Sequence, residues 1–226
     1  MTALSAREMA RRIDHTLFAA DATRGDIEKL CAEAREHGFF SVCVNGSRVE
    51  LARTAMEGSE VRVVALVGFP FGAADPDAKR YEVEIAVDQG AHEIDFVINI
   101  GRLKDGDSNF VLREMRDVVE AADERPVKAV LESHLLTREE KILACRLALD
   151  SGAQFVCNST DFHAPDVTVE EVRLLRELVG EDFGVKAAGN IRDARMALAL
   201  IEAGVTRIGT TTGVGLVEGL EKGLIA

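Results

Sequence analysis

Four times in this chain a helical run closes on a glycine and a short strand follows: Glu36-His37-Gly38-Phe39, Asp88-Gln89-Gly90-Ala91, Asp150-Ser151-Gly152-Ala153 and Glu202-Ala203-Gly204-Val205. Glycine suits the left-handed residue that ends a helix, because it has no Cβ to clash there. The four glycines lie 52, 62 and 52 residues apart. Half of such an interval is about the length of one strand–helix unit, so each interval should hold a second strand. Stretches at residues 61–68, 127–133 and 184–189 fill those places, and residues 12–17 supply a first strand, making eight. Between the strands, apolar residues recur at helical spacing. The stripes are Ile27, Leu30, Cys31 and Ala34; Val111, Met115, Val118 and Val119; Ile142, Leu143, Cys145, Leu147 and Leu149; Val169, Val172, Leu174, Leu175 and Leu178; and Ala194, Met196, Ala197, Leu200 and Ile201. Thr23 with Asp26, Thr137 with Glu140, and Thr168 with Glu171 are spaced as N-caps. Alternating strands and helices pair in parallel through crossovers. Eight such units in 226 residues predict an α/β fold, a single-domain (β/α)₈ TIM barrel over residues 1–226. The competing open, doubly wound sheet lacks its GxGxxG fingerprint here.

Charge narrows the partners. The formal net charge is −12, which leaves no basic footprint for a nucleic-acid backbone. No run approaches the ~20 apolar residues of a membrane-spanning helix, and residues 1–12 are charged rather than signal-like. Cys31, Cys43 and Cys145 read as small core residues, and no CxxC pair occurs. A reduced, cytoplasmic setting is expected.

Parallel barrel strands are normally apolar, being covered on both faces. Here Asp95 sits in the fourth strand, Lys128 and Glu132 in the fifth, and Lys186 in the seventh. Strand alternation puts Lys128, Val130 and Glu132 on one face. Buried charges are normally paired, and an aspartate with two lysines can neutralise locally. Desolvation and a like charge make a lysine easier to deprotonate, while an adjacent carboxylate pulls the other way. The C-terminal ends of the strands, where barrels work, should gather Asn99, Glu132, Ser133, His134, residues 158–161, Gly189, Asn190 and residues 210–212. Gly189-Asn190 and Gly209-Thr210-Thr211-Thr212-Gly213 are suited to an anion, since small residues before a helix offer backbone N–H groups.

With those residues in view, the chain resembles the deoxyribose-phosphate aldolase family over nearly its whole length. The resemblance rests on Ile13-Asp14-His15-Thr16-Leu17, Ser41-Val42-Cys43-Val44-Asn45, Val67-Gly68-Phe69-Pro70, residues 93–101, residues 127–132, Val185-Lys186-Ala187-Ala188-Gly189 and Arg207-Ile208-Gly209-Thr210. It implies a (β/α)₈ barrel that reversibly cleaves 2-deoxyribose 5-phosphate to acetaldehyde and glyceraldehyde 3-phosphate, a lyase reaction needing no metal or other cofactor. A strand-six lysine would form a Schiff base with the carbonyl. Asp95 matches the proton-relaying aspartate and Lys186 the strand-seven lysine. Cys43 matches a cysteine near the site. Gly189, Gly209, Thr211 and Thr212 match phosphate-loop positions, and Ser159 lies in the corresponding strand-six stretch. Asp14, Lys128, Glu132, His134 and His163 are expected nearby. The implied partner is a small sugar phosphate or aldehyde, and a homodimer stays open.

The resemblance breaks at strand six. Where the family reads Phe-Val-Lys-Thr-Ser-Thr-Gly-Phe, this chain has Phe155-Val156-Cys157-Asn158-Ser159-Thr160-Asp161-Phe162. Cys157 holds the Schiff-base position, Asp161 replaces a glycine, and Asn190 replaces another. A thiol forms no imine. Four accounts follow: Lys186 takes over the imine; Cys157 acts as a thiolate favoured by Lys186, with His134 or His163; Cys157, Asp161, His163 and His134 hold a metal; or the pocket binds a ligand without this chemistry. The expected pocket lies among Asp95, Lys128, Cys157, Lys186, Gly189 and Thr211.

Overall fold

The structure, a computed structural model, describes residues 4–223. Eight parallel strands close into a barrel in chain order: β1 Ile13–Leu17, β2 Ser41–Asn45, β3 Arg62–Val67, β4 Glu93–Val97, β5 Val127–Val130, β6 Phe155–Cys157, β7 Gly184–Ala187 and β8 Arg207–Thr210. β1 pairs with both β2 and β8, which removes every sheet edge. The helices are α1 Ala6–Ala10, α2 Arg24–His37, α3 Val49–Ala55, α4 Pro76–Asp88, α5 Ile100–Lys104, α6 Ser108–Ala121, α7 Arg138–Ser151, α8 Val169–Val179, α9 Ala194–Glu202 and α10 Gly213–Glu221. The closed barrel rules out the open sheet. All four helix-ending glycines have positive φ, between 66° and 109°.

One core fills the layer between sheet and helices. Val42, Val63, Ile94, Phe96, Ala129, Val156, Val185 and Ile208 are buried there, at positions alternate to those that face the barrel axis. On α2 the expected stripe is buried in full. Other helices narrow it. On α7 the buried residues are Ala144, Cys145, Leu147, Ala148 and Ser151, while Leu149 is exposed and Ile142 and Leu143 are half-buried. Small residues let that helix lie close to the sheet, so the larger ones move to its flanks. On α8 the inner face is Val172, Leu175, Arg176 and Val179, with Val169, Leu174 and Leu178 half-buried. Capping boxes form at Thr23 with Asp26 and at Thr137 with Glu140. Thr168 caps α8 on one side only, because the Glu171 carboxylate instead accepts from Ser133 Oγ at 2.5 Å and Lys141 Nζ at 3.3 Å. That ties α8 to the end of β5, beside the barrel mouth.

Candidate active site

The inward positions of the barrel carry more charge than the four charges singled out in the sequence. Asp95 of β4 bridges two lysines: Lys128 Nζ donates to Oδ1 at 2.7 Å and Lys186 Nζ to Oδ2 at 2.6 Å. Lys128 also pairs with Glu93 Oε2 at 2.7 Å, and Lys186 with Asp14 Oδ2 at 2.8 Å. Arg207 closes the ring, 3.1 Å from Asp14 and 3.8 Å from Glu93. Three carboxylates thus face three cations, all buried. Ser41 Oγ adds a hydrogen bond to Asp14 at 2.6 Å. The guanidinium of Arg207 lies over the Phe40 ring, 3.2 Å from its centroid. Strand register explains the ring: Asp95 pairs with Lys128 across β4–β5, and Lys186 with Arg207 across β7–β8. Glu93 and Arg207 were not singled out in the sequence, although each lies two residues before a recognised site position and so shares its face.

Carboxylates decide the state of this ring. Burial alone would lower the Lys186 ammonium, but Asp14 and Asp95 outweigh it and hold its pKa well above the ordinary lysine value. Lys128 behaves alike, with Asp95, Glu93 and Asp14 overcoming burial. Asp14 would be raised by burial, yet Lys186, Arg207 and Lys128 bring it well below the usual carboxylate range. The lysine prepared to lose its proton, one of the readings of the sequence, is therefore absent at Lys186.

Cys157 stands one strand from Lys186 in register. Its side chain is buried, and Sγ donates to Ser159 O at 3.2 Å. Burial pushes the thiol up to about 12; the pull of Lys186 is smaller than that penalty. The thiolate expected beside an ammonium is not favoured, because burial penalises it more than Lys186 stabilises it and the Asp95 carboxylate adds to the penalty. Burial likewise pushes the Cys43 thiol upward.

Above this level a narrow cleft opens at the C-terminal end of the strands, about 410 Å³ counting its open mouth. Of the predicted residues it is lined by Asp95, Cys157, Lys186, Cys43, Ser159, Asp161 and Gly209. A Cβ at Gly209 would come within 2.9 Å of Lys186 Cε, so glycine there gives the lysine stem its path. Asn158 sews β6 to β7 through Ala188: Asn158 Nδ2 donates to Ala188 O at 2.9 Å, and Ala188 N donates to Asn158 Oδ1 at 2.8 Å. At the rim, Asn190 N donates to Asp161 Oδ1 at 3.0 Å. Burial raises the Asp161 carboxyl, the Asn190 N–H opposing. Thr210 and Thr212 hydroxyls both donate to Ile191 O, joining the loops after β7 and β8.

Other predicted residues fall outside the cleft wall. Asp14 and Lys128 lie beneath it, in the charged ring. Glu132 has a left-handed backbone just past β5, and its carboxylate accepts from Thr160 N rather than joining the ring. Gly189 packs against the 165–167 loop, and Asn190 reaches the cleft only through Asp161. Thr211 lines a separate, larger cavity, about 780 Å³ counting its open mouth, with His15, Asp21 and Glu33, between β1 and α2. His134 faces Glu132 at 3.6 Å, and His163 packs on the Phe162 ring at 4.4 Å; neither lines the cleft with Cys157. Among the described residues, no three His, Cys, Asp or Glu side chains gather in a metal-holding group. The expected convergence of six residues thus holds for Asp95, Cys157 and Lys186, and not for Lys128, Gly189 and Thr211. Sequence reasoning also missed the apolar wall of Phe18 and Phe69, whose rings are 5.3 Å apart and which line the cleft. Their only signal was their place just beyond β1 and β3.

A model of the DeoC/LacD family aldolases matches residues 9–220. Deoxyribose-phosphate aldolase 1 of Bacillus licheniformis is 50% identical over 215 residues, which are 95% of this chain and 96% of the relative. The chain belongs to the DeoC/LacD aldolase family. Solved structures of this family superpose closely. A Coccidioides immitis protein assigned as a deoxyribose-phosphate aldolase gives a TM-score of 0.93 at 34% identity, covering 96% of this chain and 87% of that one. A deoxyribose phosphate aldolase from Aeropyrum pernix, described as tetrameric, gives 0.88 at 28% identity, covering 96% and 92%. Membership in an aldolase family makes the protonation of this cleft the central chemical fact about it. An aldolase that works through an imine needs a neutral amine, and the one lysine lining this cleft is held as an ammonium by two carboxylates.

Proposed function

We propose that the chain uses the family's cleft to bind a short aldehyde or sugar, carbonyl end toward Asp95, Lys186 and Cys157, without cleaving it through an imine. One observation carries this reading: both groups that could attack a carbonyl are held in place, Lys186 Nζ between Asp14 at 2.8 Å and Asp95 at 2.6 Å, and Cys157 buried with its thiol bonded to Ser159 O. Covalent catalysis needs the deprotonated nucleophile. Asp95 would orient the carbonyl end, Lys128 would fix the position of the Asp95 carboxylate, and Ser159 and Gly209 would shape the wall.

Association with a second copy belongs to the same reading. Tyr81 and Ile85, one helical turn apart on α4, are exposed apolar side chains that a homodimer could cover. Four free cysteines support a reducing, cytoplasmic setting. Among the described residues no helix is long and apolar enough to cross a membrane.

The test is Cys157→Lys. The new amine would stand beside the Lys186 ammonium, where desolvation and a like charge both favour its neutral form. Acetaldehyde release from 2-deoxyribose or its 5-phosphate should rise by at least about 1000-fold over the wild type. The same sugars should raise the melting temperature of the wild-type chain. Wild-type release as fast as the variant's would overturn the proposal.

A further inference from the structure

The rim of the cleft already contains its own anion. The loops after β7 and β8 are where backbone N–H groups would meet a ligand phosphate, and on the β7 side the donor nearest the cleft is taken by a carboxylate. Asn190 N–H goes to Asp161 Oδ1 at 3.0 Å, and Thr212 N–H to Thr210 Oγ1 at 3.0 Å. The N-terminus of α9 is capped by Asp193, whose Oδ1 accepts from Met196 N at 2.9 Å. Asp161 N–H is likewise turned inward, to Ser159 Oγ at 3.0 Å.

Charge around the rim points the same way. Asn190 Nδ2 donates to Asp166 Oδ1 at 2.7 Å, which brings a second carboxylate to the same loop. Arg192 is the cation beside them, and its guanidinium is directed to Asn190 Oδ1 at 2.6 Å. Two carboxylates therefore share this loop with one arginine, which contacts Asn190 and pairs with neither. A phosphate dianion entering here would meet Asp161 on the cleft wall and find the Asn190 donor occupied. Like charges at such range repel strongly in a partly desolvated site. The backbone is set for this contact: Asp161 and Asn190 have φ of 63° and 53°. Left-handed residues at both positions turn the carboxylate of one toward the N–H of the other. Aspartate and asparagine are among the few non-glycine residues that adopt this conformation readily.

We infer that Asp161 takes the place of a ligand phosphate, so that the cleft selects an unphosphorylated, hydroxyl-ended sugar or aldehyde over the corresponding phosphate ester. The terminal hydroxyl would donate to the free carboxylate oxygen. This inference rests on the reading that the cleft binds a small sugar, and it names the class.

Calorimetric titration of the wild type, Asp161→Asn and Asp161→Gly with 2-deoxyribose and with 2-deoxyribose 5-phosphate tests it. Glycine relieves the positive φ, and asparagine keeps the acceptor for Asn190 while removing the charge, so both variants should fold. The wild type should bind the free sugar at least about tenfold tighter than the ester, and Asp161→Gly should shift that ratio at least about tenfold toward the ester. Asp161→Asn should shift it in the same direction, which a merely structural role for the side chain would not do. Tighter binding of the ester by the wild type, with the ratio unmoved in both variants, would overturn this inference and leave the sugar-binding reading intact. Binding of neither ligand by any of the three proteins would overturn both.

Discussion

The floor and the rim of this barrel solve the problem of buried charge in opposite ways. At the floor, Asp14, Glu93 and Asp95 face Lys128, Lys186 and Arg207, and the ring is balanced by side chains from five strands. At the rim, the carboxylate on the cleft wall, Asp161, is satisfied by a backbone N–H and sits among loops. The floor keeps its charges by pairing them, which holds Lys128 and Lys186 as ammoniums and makes them poor nucleophiles. The rim keeps a charge that a ligand must accommodate. Electrostatic completeness and chemical reactivity are therefore different properties: this cleft has the first without the second.

The comparison can be broken most sharply at the thiol between the two levels. If burial holds Cys157 near 12, its thiolate fraction at pH 8 is more than about 1000-fold below that of an unburied cysteine. Native protein should react with a disulfide reagent correspondingly slowly, and rapid labelling of Cys157 at pH 8 would show a floor that activates it after all. The next effect is at Asp95. Asp95→Ala leaves Lys128 and Lys186 facing each other with one carboxylate fewer, and should cost about 3–5 kcal/mol in urea unfolding. Asn158→Ala removes both hydrogen bonds to Ala188 and should cost about 1–3 kcal/mol. A loss at Asn158 as large as at Asp95 would mean that the rim, not the ring, carries the stability.

The last expected effect is confined to the pH dependence. Asp14 is held below the range of an unfolded aspartate, about 3.9. Its contribution is then present above that pH and lost as pH falls through the folded value. Asp14→Asn should flatten the acid limb of the stability curve and leave its shape near neutrality unchanged. Lys186 has the opposite sign: its raised value keeps its contribution intact below about 10.4 and removes it only at higher pH.

Much of the barrel was legible because its signals are local. A glycine after each of four helices, apolar stripes at helical spacing and three threonine caps each report on a few neighbouring residues. The charged strands were legible as an anomaly, and Asp95, Lys128 and Lys186 do meet. Protonation was not legible, since it depends on Asp14 and Glu93, carried on β1 and β4 and brought to Lys186 and Lys128 only when the barrel closes. The Asp161 contact needed two residues in left-handed conformation, which residue type permits without requiring. His134 and His163 were drawn into the expected site by nearness in sequence, and the turns after β5 and β6 carry them to Glu132 and Phe162 instead.

The most direct measurement is peptide-mapped mass after borohydride reduction with acetaldehyde, for the wild type and Cys157→Lys side by side. The expected result is no reduced adduct on Lys186 of the wild type and a stoichiometric adduct at position 157 of the variant. A reduced adduct on Lys186 of the wild type would contradict the account, because it would show that the paired ammonium gives up its proton and that the imine has moved one strand.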